Sequence, residues 1–181
     1  MKKYIYIELI GPLHEVNCDA VVEDIGDKFE FPVKIVKSTI DVAGTYDPNR
    51  RQYYSTKILK EMINHIPSDA LKVIGLTPFD LFIPILTFVF GEAQLKGTIG
   101  IVSVARLKQE FYGLPPNVEL LHRRLIKEIN HELGHIFGLI HCQMRNCVMY
   151  LANTIRDVDT KGEDFCMKCR EILESRQKEA E

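Results

Sequence analysis

The chain has 181 residues, 46% of them hydrophobic and 27% charged, with 23 basic against 25 acidic side chains and a formal charge of −2. That is enough ordinary globular sequence for one sizeable core, so a single domain over 1–181 is expected. The near-neutral balance gives no general pull toward phosphate backbones or anionic lipid, which speaks against nucleic acid and membrane surfaces as partners.

The opening MKKYIYIELIGPLHE shares only its two lysines with a signal peptide: Glu8 breaks the apolar run, Gly11-Pro12 ends it, and no small-residue cleavage site follows. It reads as a first strand over 4–10. Residues 14–29 carry apolar positions at helical spacing, 32–42 alternate as a second strand, and 48–66, with Pro48 near its start, predict a helix. A third short strand is expected over 70–76, and strand followed by helix points to an α/β layer. The apolar stretch 81–90 contains Pro84 and is too short to span a bilayer. Two β-like runs, 81–91 and 97–107, flank the polar segment EAQLK and predict a hairpin or strand pair with Gly91 and Gly97 marking the turn. The second run reads either as an edge strand able to pair with extended substrate or as an internal strand. A polar link precedes a long helix over 118–138, and 174–181 reads as solvated or frayed helix.

That long helix ends in 131-HELGHIFGLIHC-142, which holds three of the chain's six histidines. His131 and His135, four residues apart, emerge from one helix face a turn apart and can reach one ion. Glu132 beside them is placed to act as a base on water without itself binding the ion. Gly138 suits a helix stop with positive φ, after which the chain can fold back and deliver His141. Three neutral imidazoles, a free fourth position and a carboxylate base make the donor set of a catalytic zinc site. The alternative is a helix with satisfied histidines; the full pattern should arise by chance on the order of once in ten thousand such chains.

Cysteines follow at once: Cys142 and Cys147, then Cys166 and Cys169. Two pairs at this spacing suit a closed four-thiolate zinc site of structural type, which could fasten a carboxy-terminal segment with little core of its own. A redox pair at Cys166 and Cys169 is the competing reading. Clustered thiols without disulfide patterning fit a reducing, cytoplasmic setting.

The run HELGHIFGLIHC, then Cys147-Val148-Met149 and the terminal CMKC, resembles the archaemetzincins, a branch of the metzincin clan of zinc-dependent peptidases. The likeness is tight over 131–169 and loose before it. One departure is a spacing of 16 residues between Met149 and Cys166, about one fewer than the family pattern, which bears on the path of that loop. The resemblance implies a compact α/β (α+β) zincin with a twisted mixed sheet, a long active-site helix, and two subdomains, about 1–138 and a smaller zinc-stapled one about 139–181. It implies two zinc ions per chain: a catalytic one on His131, His135 and His141, and a structural one on Cys142, Cys147, Cys166 and Cys169. Glu132 would be general base and acid, and Met149, otherwise an ordinary core residue, would form the hydrophobic base under the metal.

The expected activity is peptide-bond hydrolysis by zinc-activated water, of restricted specificity, as in an aminopeptidase or small-peptide hydrolase, by a monomer. The alternatives are a non-catalytic zinc-binding module and a metal-dependent hydrolase of non-peptide substrates. Tyr150 reads as a core tyrosine or as a phenol near the oxyanion; His14, His65 and His122 read as surface residues, and Cys18 as a small core residue.

Overall fold

The computed structural model describes residues 2–180. Strand β1 (Tyr4–Leu9) buries Ile5, Tyr6, Ile7 and Glu8 in succession, the signature of a strand paired on both edges and covered on both faces. It pairs in parallel with β2 (Val33–Lys37) and with β5 (Ala70–Thr77), setting Ile7 against Ile35 and Ile74. β5 pairs in parallel with β8 (Ile99–Ser103), and β8 pairs antiparallel with β7 (Gly91–Ala93), giving the order β2-β1-β5-β8-β7.

Helices cover both faces. Helix α1 (Cys18–Phe29) is capped by Asn17, whose side chain accepts from the Ala20 amide, and buries Val21, Ile25 and Phe29. Helix α3 (Val118–Ile136), capped in the same way by Asn117, lies on this face and buries Leu121, Leu125, Ile129, Leu133 and Ile136. Each fully buried aliphatic side chain of this kind contributes about 1.5–3 kcal/mol of hydrophobic stabilisation. On the opposite face α2 (Ser55–Ile63) packs Ile58, Leu59 and Met62 against Val73, Ile99 and Ile101. After α3 come α4 (Ile155–Thr160), started by a Thr154–Asp157 capping box, and α5 (Met167–Ala180). The mixed α/β architecture expected from the sequence is therefore present, and among the described residues no helix is long and apolar enough to cross a membrane.

The expected helix over 48–66 begins only at Ser55. Before it the Asp47 carboxylate accepts from the Asn49 and Arg50 amides, Arg51 takes φ 57°, and the chain turns back as a hairpin of β3 (Tyr46–Asp47) and β4 (Gln52–Tyr54). Tyr53 stacks on Phe79 at 4.4 Å, and β4 pairs with β6 (Leu81–Phe82). The run 81–91 is broken between β6 and the start of β7 at Gly91, because residues 83–86 turn, with the Leu86 amide donating to the Ile83 carbonyl and Val89 bridging back to Leu81. The second strand stops at Lys37, and the carboxy-terminal stretch is a docked helix. Leu173 is fully buried, and Gln177 is buried with its side-chain amide donating to the Phe29 carbonyl.

Candidate metal centre

Helix α3 presents His131 and His135 on one face, as their four-residue spacing requires. It ends at Phe137; Gly138 then takes φ +99°, and the chain reverses to bring back His141. The coordinating nitrogens of His131, His135 and His141 lie within 4.8 Å of one another. His131 Nδ1 donates to the Val148 carbonyl at 2.9 Å and His135 Nδ1 to the Leu139 carbonyl at 2.8 Å, which turns both Nε2 atoms inward as acceptors. These two Nε2 atoms are 3.0 Å apart. The separation is close to the edge, about 3.3 Å, of a tetrahedron built on Zn–N bonds of about 2.0–2.1 Å. The donor set thus fits zinc.

Burial pulls His131 well below the ordinary imidazole range, with the Lys161 ammonium and the neighbouring imidazoles adding to it; burial lowers His135 and His141 too. Neutral imidazole is the ligating form, so the site holds its histidines ready for a cation.

Glu132 lies in the same pocket, a cavity of about 460 Å³ lined by the three histidines, Glu128, the β7 residues Gly91, Glu92 and Ala93, and apolar side chains including Leu86, Phe88 and Leu151. Burial first, then the charge of Glu128, pushes the Glu132 carboxyl well above the usual carboxylate range, with Lys161 opposing. A bound cation would offset that rise by favouring the carboxylate.

Cys142, Cys147, Cys166 and Cys169 bring their sulfurs within 4.8 Å of one another. Backbone amides point at them: Met144 N–H donates to Cys142 Sγ at 3.4 Å and Cys166 N–H to Cys147 Sγ at 3.3 Å. Burial pushes the Cys147 and Cys169 thiols up, so these two would ionise readily only with a cation beside them. Four sulfur donors, with no carboxylate or imidazole among them, fit a closed tetrahedral zinc site.

A sequence model described as Peptidase family M54 matches residues 7–175. The chain belongs to this family. It is 42% identical over 170 residues to the archaemetzincin of Methanocaldococcus jannaschii, covering 92% of each chain. Its fold matches the crystal structure of archaemetzincin from Methanopyrus kandleri with a TM-score of 0.85 at 34% identity, over 98% of this chain and 96% of that one. A zinc-dependent peptidase from Methanocorpusculum labreanum matches with a TM-score of 0.82 at 33% identity, over 93% of this chain and 99% of that one. The chain is a zinc metallopeptidase of the archaemetzincin family.

Three features of this archaemetzincin site escaped the sequence reading. Gly91, taken as a turn marker, opens β7 against the Glu132 carboxylate: a Cβ there would stand 2.7 Å from Glu132 Oε1 and 2.7 Å from the Ile101 carbonyl oxygen. Gly134, inside the motif itself, faces the fully buried Met149, whose sulfur fills the space a Cβ would need. Lys161 is wholly buried, its ammonium 2.7 Å from Glu128 and 3.4 Å from His131 Nδ1, and nothing in its local sequence marks it. A glycine closing a β-like run was the one signal that could have pointed to Gly91.

The remaining expectations resolve simply. Within the run 97–107 the strand is β8 (Ile99–Ser103), which is internal, while Ala105–Leu107 form a 3-10 turn and the edge position belongs to β7. Tyr150 is half-buried with the Arg145 guanidinium 6.0 Å from its ring centre. His14 and His65 are exposed, and His122 is half-buried beside the Asn17 carbonyl. Cys18 is half-buried against the core.

Proposed function

We propose that peptide bonds are cut at the three-histidine cluster, with His131, His135 and His141 holding the catalytic zinc and Glu132 acting as general base and then acid. Cys142, Cys147, Cys166 and Cys169 hold a second, structural zinc, making two per chain, and Met149 is the methionine floor of the catalytic site. The observation that carries this reading is the convergence of three acceptor nitrogens and a buried carboxylate in one cavity beside an edge strand. Bound zinc supplies a Lewis acid that polarises a carbonyl and lowers the pKa of water toward neutrality.

The rest belongs to the chain. Glu132, set against Gly91, takes a proton from the attacking water and passes it to the leaving amine. The carbonyls of Val148 and Leu139 hold two imidazoles in the tautomer that keeps Nε2 for the ion. The outer edge of β7 offers backbone donors and acceptors to an extended peptide, and its length of three residues limits that register to a short one. This supports restricted specificity toward small peptides, including aminopeptidase action.

Glu132→Gln should lower kcat/KM on short peptides by about 10²–10⁴-fold with zinc content unchanged. Undiminished hydrolysis with zinc retained would end the general-base reading. In the same assay the wild-type rate should fall from short peptides to denatured proteins, and a rate indifferent to length would count against the restriction.

A further inference from the structure

The two donor sets share one stretch of chain. His141 is followed directly by Cys142, and Cys147 directly precedes Val148 and Met149. The loop between the two cysteines closes on itself, because the Cys142 amide donates to the Met149 carbonyl at 2.9 Å and residues 142 and 150 form a β-bridge. From this loop the Val148 carbonyl accepts from His131 Nδ1, and the Met149 sulfur packs against Gly134, between His131 and His135 on α3. The loop therefore carries one imidazole, orients a second, and supports the helix turn that bears the first two.

Hydrophobic burial does little to hold its outer half. Residues 143–146 are all exposed, and the buried residues of the loop begin at Cys147. What closes over it is the segment carrying Cys166 and Cys169, with the Cys166 amide on Cys147 Sγ and the Val148 amide on the Asp164 carbonyl at 2.9 Å. Four sulfurs gathered on a metal fix both ends of the 142–147 span and clamp it to the start of α5.

We infer that the cysteine cluster positions the catalytic imidazoles: metal on Cys142, Cys147, Cys166 and Cys169 raises the affinity of His131, His135 and His141 for their own metal. This rests on the two-metal reading above and adds a coupling between the sites. A coupling of this kind is reciprocal, so metal at the histidines must tighten the cysteine set by the same factor. Partners that orient metal ligands are typically worth about 10–100-fold in affinity.

The test uses the full chain, freed of metal under reducing conditions and titrated with Co²⁺ in two forms: the wild type carrying one prior equivalent of Cd²⁺, and a Cys166→Ser/Cys169→Ser variant whose thiolate site cannot fill. Cadmium is soft and goes to the thiolates, leaving cobalt to report the imidazole site through its visible absorption. Cadmium loading should tighten cobalt binding at the imidazoles by about 10-fold or more. Cobalt should tighten cadmium equally. A Cys142→Ser variant keeps three thiolates for cadmium while releasing the strap next to His141. Once loaded with cadmium, it should bind imidazole-site cobalt about 10-fold more weakly than the loaded wild type. Equal imidazole-site cobalt affinity in the cadmium-loaded wild type and in the Cys166→Ser/Cys169→Ser variant would overturn the coupling and leave the two-metal reading standing. Loaded Cys142→Ser binding cobalt as the wild type does would overturn the strap. Failure of the wild type to bind any cobalt at the imidazoles would overturn both the coupling and the reading on which it rests.

Discussion

His131 is the most constrained residue of the site. Its ring is buried, its Nδ1 is committed to the Val148 carbonyl, and the Lys161 ammonium stands 3.4 Å away. Burial lowers all three imidazoles, and this has a consequence for the metal-free chain. Unfolded histidines take up protons near pH 6.5, whereas the folded ones resist protonation until the pH is lower. Between those two values the unfolded state binds more protons, so the contribution is fully present above the unfolded value and is lost as pH falls toward the folded ones. The Tm of chelator-treated protein should therefore drop as pH is lowered from about 7.5 to 5. A Tm independent of pH over that span would show that the imidazoles are not held neutral. The Lys161–Glu128 pair follows the rule for buried charges, each compensating the other; removing one partner alone should leave an uncompensated charge beside the cavity.

At the scale of elements, the site-bearing helix was the most legible part of the sequence. Its apolar positions from Val118 onward kept the helical period, Asn117 capped it, and Gly138 ended it with positive φ, so the relation of His131 to His135 followed from spacing alone. The segment 48–66 was misread because Pro48 resembles a helix start, whereas Asp47 caps a turn there and Tyr53 and Tyr54 sit in a strand stacked on Phe79 and Phe82. Those partners lie too far along the chain for a local pattern to show them. The tail 174–181, read as solvated helix, is helical through its described residues and mostly exposed, with Gln177 the buried exception that reaches the carbonyl at the end of α1. Just before it in α5, Leu173 is fully buried. Leu173→Ala should cost about 2–5 kcal/mol in chemical denaturation. A loss under about 0.5 kcal/mol, the size of an ordinary surface change, would mean that α5 is as loosely held as its composition suggests.

For the molecule as a whole, the α/β class and both donor clusters could be read from residue order, and strand order could not. β7 becomes the edge because β8 pairs with β5 on its other side, a long-range choice set by which faces α2 and α3 cover. That choice places Gly91 against Glu132 and opens the cavity along β7, bringing the buried carboxylate, the three imidazoles and the edge strand together in one place. The four cysteine sulfurs converge where the carboxy-terminal segment meets the loop carrying His141, Val148 and Met149.

The most direct test of this account is zinc per chain, measured by elemental analysis alongside peptide hydrolysis in the wild type and in His135→Ala. Two zinc ions with hydrolysis in the wild type, and one zinc without hydrolysis in the variant, are predicted. A variant that kept the wild-type zinc content and still cleaved peptides would contradict the assignment of the three-histidine cluster as the catalytic centre.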